Sequence, residues 1–343
     1  MKRKITFQVV AFMATFQFMS AQSTITVDNT PGSNAQFSDL QIAIASAQSG
    51  DIIYIQPSEV SYGDILVDKP LTLTGFAHSG EKQTLIRDIR FGEAASNCKF
   101  SGLRITNQFR VQLNDESVTL TNMVIENCRI DGSMSFLQGG VDNMIIRGCV
   151  IWSLGGISSV NHYTNTLITD CIITNNIWVS NHQSTTIKNN LFLTGSMRPI
   201  GNDAGNSGTL TVQNNIIYIS SSSTIDRNHM DVIYENSLIY NRGSGNALPL
   251  QGTGNLTNLD PLFVEDNDNI AFEATLDDYH LQTGSVAIGA GVDGEDIGLY
   301  GSGDFVFNNF GLPNGIPTVK IEAITNTVAP GENINLVIST NTH

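Results

Sequence analysis

Charge is scarce in this chain of 343 residues: 14% are Asp, Glu, Lys or Arg, and the balance is -15 at neutral pH. Nucleic acids and anionic lipid surfaces both need clustered cations, so the excess of acid argues against either as a partner. Neutral glycans, cationic partners and Ca²⁺ stay compatible with it. Long apolar runs are missing too. The stretch from Ile5 to Met19 is interrupted by Thr6, Gln8, Thr15 and Gln17 and falls short of the roughly 20 residues that a membrane helix needs. With Lys2, Arg3 and Lys4 before it and Ser20-Ala21-Gln22 after it, residues 1–21 read as a signal peptide, and the protein is expected to be secreted, whether free, on the cell surface or in a periplasm. No Cys follows the apolar stretch, so a lipid-anchored start is not expected. Phosphate-binding loops, dinucleotide fingerprints, Gly-x-Ser-x-Gly elbows and zinc-spaced Cys sets are all absent, which removes the chemistries that depend on them.

What the chain does have is a repeat. It reads Ile125-Glu-Asn-Cys128-Arg-Ile130, Ile146-Arg-Gly-Cys149-Val-Ile151 and Ile168-Thr-Asp-Cys171-Ile-Ile173, then Ile187-Lys-Asn-Asn190-Leu-Phe192, Val212-Gln-Asn-Asn215-Ile-Ile217 and Ile233-Tyr-Glu-Asn236-Ser-Leu238. Phe100-Ser-Gly-Leu103-Arg-Ile105 is a degenerate first copy. Aligned on the fourth position, successive copies stand 25, 21, 22, 19, 25 and 21 residues apart. A period near twenty with apolar residues at every second place indicates a solenoid of β-coils. Each coil is too small to bury its own apolar face and completes its core only by stacking on the next. Helical solenoids are excluded, because their repeats need long segments of 3.6-residue period. The fourth position then forms a ladder at an inward bend, where Asn tolerates left-handed backbone and its amide can bond along the stack. Cys128, Cys149 and Cys171 are expected there as buried free thiols, although stacked neighbours would also lie within disulfide range.

Upstream, Phe37, Leu40, Ala43, Ile44 and Ala47 recur at helical spacing, as in a short helix that plugs the open end of the stack. That helix runs into Gly50-Asp51-Ile-Ile-Tyr-Ile55, and Asp64-Ile-Leu-Val-Asp-Lys-Pro70-Leu-Thr-Leu-Thr-Gly75 follows. The combination resembles the opening of pectin-lyase-like right-handed β-helix proteins. At the other end, Asp260-Pro-Leu-Phe263, Tyr279-His-Leu-Gln282, Ser285-Val-Ala-Ile288 and Asp296-Ile-Gly-Leu-Tyr-Gly301 resemble the closing segment of secreted parallel β-helix repeat proteins. Val286 and Gly289 depart from the usual Pro and Asp. The resemblance implies an all-β right-handed parallel β-helix over residues 22–305 with a short N-terminal capping helix. It leaves the activity open, because lyases, hydrolases, epimerases and non-catalytic proteins share this fold. Residues 306–317, punctuated by Gly and Pro, read as a linker, and 318–343 as two terminal strands that either fold back on the solenoid or begin a β-sandwich.

Chemistry is sought in a second column. Asn161-His162, Asn181-His182, Asn202-Asp203 and Asn228-His229 place His or Asp at spacings of 20, 21 and 26 residues, with Asp142 a further 20 before His162. Alternation assigns the Asn to the inside and the His or Asp to the outside. Such a row, His162, His182, Asp203 and His229, could divide acid and base roles on a sugar or bind a metal such as Ca²⁺. Arg227 would face a uronate carboxylate or an enolate-like intermediate, and Trp178 would offer a stacking platform. The structural alternative is that a solenoid reuses one polar bend in every coil. The acidic runs 265–268, 277–278 and 293–296 are expected as solvated loop charge, His78 as a loop residue and His280 as a cap residue. Two functions remain open: a secreted protein that binds or also cleaves an extracellular polysaccharide, as a lyase or glycoside hydrolase would, and a non-catalytic structural or adhesive surface module.

Overall fold

The computed structural model describes residues 22–156, 163–179, 183–195, 199–202, 209–220, 232–243, 246–267, 271–313, 318–324, 331 and 334–341. It is a parallel β-helix. Two 11-stranded parallel sheets and a three-stranded one share the coils, and each strand pairs with its counterpart one coil away. The right hand follows from the twist of strands feeding parallel crossovers. Inside, one column runs Ile53, Leu73, Phe100, Ile125, Ile146, Ile168, Ile187, Val212 and Tyr234 along the first sheet. The second sheet answers with Ile86, Ile105, Ile130, Ile151, Ile173, Phe192, Ile217 and Ile239. All of these side chains are buried. Helix Leu40–Ser46 closes the N-terminal end, capped by the Asp39 carboxylate and burying Leu40, Ala43 and Ile44.

The ladder is present and its bonds run one way. The N–H of Cys149 donates to Cys171 Sγ (3.4 Å), Cys171 to Asn190 Oδ1 (3.0 Å), Asn190 to Asn215 Oδ1 (3.0 Å), Asn215 to Ser237 Oγ (3.2 Å) and Ser237 to Asn255 Oδ1 (2.9 Å). Each Asn amide donates back to a carbonyl of an earlier coil, Asn190 to Ile168 and Asn215 to Ile187, so the buried polar groups are satisfied. Two expectations need correction. Asn236 is not a rung: Tyr234, not Ile233, fills the core position, and Ser237 takes the place in the ladder. The left-handed residue is also not the rung but the one before it, in the column Gly102, Asn127, Gly148, Asp170, Asn189, Asn214, Asn236 and Gly254, with φ between 44° and 69°. Cys98, Cys128, Cys149 and Cys171 are free and buried. Burial pushes the Cys128 and Cys171 thiols up, away from the reactive thiolate.

A second polar corner escaped the repeat analysis. Asn97, Asn122, Asn143 and Asn165 are all left-handed, and Asn122 and Asn143 each donate to the side chain below, at 2.9 and 2.7 Å.

The closing segment folds back along the solenoid and covers half of the second sheet. Outward-facing Val150, Ile172, Leu191, Leu193, Ile216, Tyr218 and Leu238 form a second core with Phe263, Phe272, Tyr279, Ile297, Leu299 and Phe307. From residue 289 the chain then runs over the left-handed column toward the N-terminus. Asn236 donates to Ala290 O, Val292 N to Asn214 Oδ1 and Ser302 Oγ to Asp170 Oδ1, all at 2.8 Å. The Arg147 guanidinium lies 4.8 Å from the Phe305 ring centre. The N–H of His78 donates to Phe310 O at 2.9 Å, and a Cβ on left-handed Gly102 would fall 2.6 Å from Pro313 Cγ. Residues 306–313 of the expected linker are thus part of this strap, with Phe307 and Pro313 buried. His78, expected in a loop, is buried beneath it. Strands Thr318–Ile324 and Leu336–Asn341 pair as an antiparallel hairpin.

Candidate functional site

Of the residues singled out for chemistry, His162, His182, Asp203, Arg227 and His229 lie outside the described residues. The other two stand on different sheets. Asp142 is on the three-stranded sheet, in register with Thr121 and Thr164, and its carboxylate accepts from Asn165 Nδ2 at 2.9 Å, which makes it part of the exposed Asn corner. Trp178 faces outward on the second sheet, between Gly155 of the preceding coil and Gly201 of the following one. Gly201 makes room for the indole, and Gly155 for the Trp178 Cβ and backbone. A Cβ at Gly201 would fall 2.1 Å from Trp178 Cε3, and one at Gly155 would fall 3.0 Å from the Trp178 Cβ. The ring therefore leans over Gly201 of the next coil and is half-buried.

Around it the outward positions form two polar rows. One is Asp64, Asp88, Gln108, Ser133, Ser153 and Asn176; the other is Leu66, Arg90, Arg110, Ser135, Gly155, Trp178 and Gly201. Rows step by about 4.8 Å, so Arg110 and Trp178, three coils apart, are separated by roughly 14 Å along the stack. The charged members largely hold one another. Asp64 accepts from Arg87 and lies 3.7 Å from Arg90, and this pairing holds its carboxyl below the usual range. Asp88 accepts from Asn107 Nδ2 (2.7 Å) and from the N–H of Gln108 (3.0 Å). Arg110 Nε is buried without a partner.

Within the acidic runs of the closing segment, Glu265 and Asp293 are exposed as expected, whereas Asp266, Asp277 and Glu295 are not free charge. Asp277 is buried and accepts from the N–H groups of Asn267 and Glu273, Asp266 accepts from Tyr218, and Asn214 donates to Glu295. They tie the closing segment down rather than lie free in water. His280 stacks on Tyr300 with ring centres 3.7 Å apart and bonds Asp278 at 2.5 Å. No group of three His, Cys, Asp or Glu suited to a metal ion occurs among the described residues.

No family model matches the chain, and no curated protein matches it. Among solved structures it is similar to a pectin methylesterase from Aspergillus niger, at 14% identity over 68% of this chain and 85% of that one, with a TM-score of 0.24. An overlap of that extent carries no chemistry across. No helix among the described residues is long and apolar enough to cross a membrane.

Sequence reasoning placed Trp178 on the outside but missed its setting. Gly155 and Gly201 look like ordinary loop glycines until strand register shows them flanking one indole. The polar rows were hidden because Ser, Asn and Gln at outward positions look like any solvated strand face.

Proposed function

We propose that the protein binds an extracellular polysaccharide along the open half of the second sheet, centred on Trp178. The indole lying over Gly201, where any side chain would collide with the ring, carries this reading. A half-exposed indole on a sheet offers apolar surface to the faces of sugar rings, while Gln108, Ser133, Ser153 and Asn176 offer hydroxyls and amides at strand spacing for the ring substituents. Arg90 and Arg110 extend the rows toward the N-terminal coils and would meet carboxylates of an acidic glycan.

Binding is favoured over cleavage by the state of the carboxylates. Asp64 and Asp88 stand one coil apart, yet Asp64 is held ionised by arginines and so is poorly suited to act as a general acid. His162, His182, Asp203 and His229, with Arg227, are the residues to which we would assign acid, base and charge-stabilising roles if the bound chain is cut. Asp142, on the three-stranded sheet, would meet only a glycan that wraps from one sheet to the next.

A polysaccharide array read for both retained glycan and released reducing or unsaturated ends tests this with three proteins. Trp178→Ala should bind roughly tenfold more weakly, about 1.4 kcal/mol, with an unchanged melting temperature. A double His182→Ala, His229→Ala variant should keep binding and lose any released ends. Full retention by Trp178→Ala of whatever glycan the unaltered chain selects would defeat the proposal.

A further inference from the structure

One outward column of the second sheet is apolar almost throughout: Leu85, then Val150, Ile172, Leu191, Ile216, Leu238 and Leu256. Two charges interrupt it. Arg104 and Arg129 occupy the positions between Leu85 and Val150, in direct register on neighbouring strands. Like charges stacked about 4.8 Å apart repel unless an anion sits between them. Asp131 does so on one side, accepting from Arg104 Nε at 2.7 Å and Arg129 Nε at 2.8 Å. Arg104 Nη1 also donates to Gln83 Oε1 at 2.9 Å. That uses three of the ten guanidinium N–H groups, although the two side chains are only 30% and 25% exposed. Among the described residues, Asp131 is the one carboxylate in direct contact with the two guanidiniums.

The arginines border a cavity of about 300 Å³ between the solenoid and the closing segment, lined also by Ser79, Gly80, Phe272, Thr275 and the exposed Glu273. Through Gln83 and Arg104 it adjoins a groove of about 1000 Å³ whose charged lining is Glu59, Glu81, Lys82 and Arg104, with Ser58 and Thr106 beside them, so that the excess of positive charge is confined to the arginine pair itself. The wider charge distribution agrees. Residues 69–147 carry nine Lys and Arg against eight Asp and Glu, whereas the rest of the chain after residue 21 carries five against twenty-four.

We propose that Arg104 and Arg129 form an oxyanion site, taking a sulfate or carboxylate group borne on a small saccharide whose body lies in the adjoining groove. Asp131 fixes both guanidiniums by their Nε edges, so that their remaining forks are pre-organised for a second, bidentate acceptor. The ligand's anion would complete the charge pairing that Asp131 begins. This site lies at the opposite end of the strands from Trp178 and does not rest on glycan binding there.

Isothermal titration of the full chain at constant ionic strength, with sodium sulfate, sodium glucuronate and neutral glucose as probes, tests the site. At least one of the two anions should bind, and glucose should not; preference for sulfate identifies a sulfate ester as the natural group, preference for glucuronate a carboxylate. Arg129→Gln should weaken binding tenfold or more, and Glu273→Gln should strengthen it two- to threefold. Arg129→Lys keeps the charge but loses the planar fork, so it too should bind about tenfold more weakly while preserving the pairing with Asp131. Trp178→Ala should bind within twofold of the unaltered chain. No binding of either anion, undiminished binding in a folded Arg129 variant, or equal loss in Trp178→Ala would overturn the proposal.

Discussion

Along the strand Ile172–Val179, two outward residues have different fates. Ile172 is sealed beneath the closing segment, while Trp178 at the far end stays half-exposed over Gly201. The same division runs through the neighbouring coils: Val150 is covered whereas Ser153 and Gly155 are not, and Leu191 is covered next to Ile172. A parallel sheet normally has both faces occupied, so an outward column made of Val, Ile and Leu is a request for a cover. The polar half makes no such request. Among the described residues its outward positions are mainly polar or glycine, and Trp178 there keeps part of its surface exposed.

The sharpest way to break this comparison is to put the same charge on both halves. Ile172→Asp would place an unpaired carboxylate in the second core and should cost about 3 to 5 kcal/mol, enough to release the closing segment or unfold the chain. Ser153→Asp, on the neighbouring strand of the same face, should stay within about 0.5 kcal/mol. Urea denaturation followed by far-UV circular dichroism measures both. Equal costs at the two positions would mean that the halves are not differently covered.

A smaller effect is expected from the only ionisable residue in the left-handed column. Asp170 is fully buried under the strap, and its carboxyl is pushed up to about 6, chiefly by burial and further by Asp304, against hydrogen bonds from Thr169 and Ser302 and the charge of Lys188. A carboxyl whose folded value lies above its unfolded one holds its proton more tightly when folded. The stabilisation is therefore complete below about pH 4 and is lost as pH rises through 6. The difference amounts to at most about 3 kcal/mol. Asp170→Asn should abolish that slope between pH 4 and 7, matching the Asn found at 127, 189, 214 and 236 in the same column. Hydrogen exchange of residues 298–304 across that window reads it out, and an identical slope in the Asn variant would show that another group is responsible.

How much of this was legible follows from how locally each feature is encoded. The coil period was visible because stacking reuses one position every twenty or so residues. The ladder was found but slipped at its end, since Ile233 is the more apolar side chain and yet points to solvent, leaving Tyr234 to fill the core. The left-handed residue was assigned one place late because Asn serves both positions: Asn189 makes the bend and Asn190 the rung. The capping helix was legible in its 3.6-residue spacing, but it is shorter than expected: Phe37 bridges to Val27 and Ala47 is the C-cap. The strap was not, because its bonds join residues far apart in sequence, such as Ser302 with Asp170. Its motifs become intelligible only in contact: Ser285 Oγ donates to Pro261 O at 2.6 Å, Phe263 packs on Tyr279 and His280 on Tyr300. At the site, Trp178 could be placed on the outside by alternation alone, but its setting between two glycines depends on register across three coils. The Arg104 and Arg129 pair had a signal that went unread, since both occupy the fifth position of consecutive repeats and so stack in register.

The smallest effect should come from the end of the chain, and it probes whether cover is what separates the two halves. In the hairpin, Leu336, Val337 and Ile338 are consecutive in one strand and therefore point to alternate faces, yet all three are between 52% and 55% exposed. Neither face is sealed as Ile172 is. A two-stranded sheet in that state gains little from burial and is marginal by itself. The strap, by contrast, is anchored through Phe307, Phe310 and Pro313. Truncation after Pro313 should therefore leave the melting temperature within about 1 °C while removing exposed apolar surface, so that the shortened chain resists aggregation better. Truncation after Asp304 removes Phe305, Phe307 and the carbonyl that caps His78, and should lower the melting temperature by several degrees. Differential scanning calorimetry of the two truncations decides the matter: equal losses would mean that the hairpin contributes as much to the fold as the strap does.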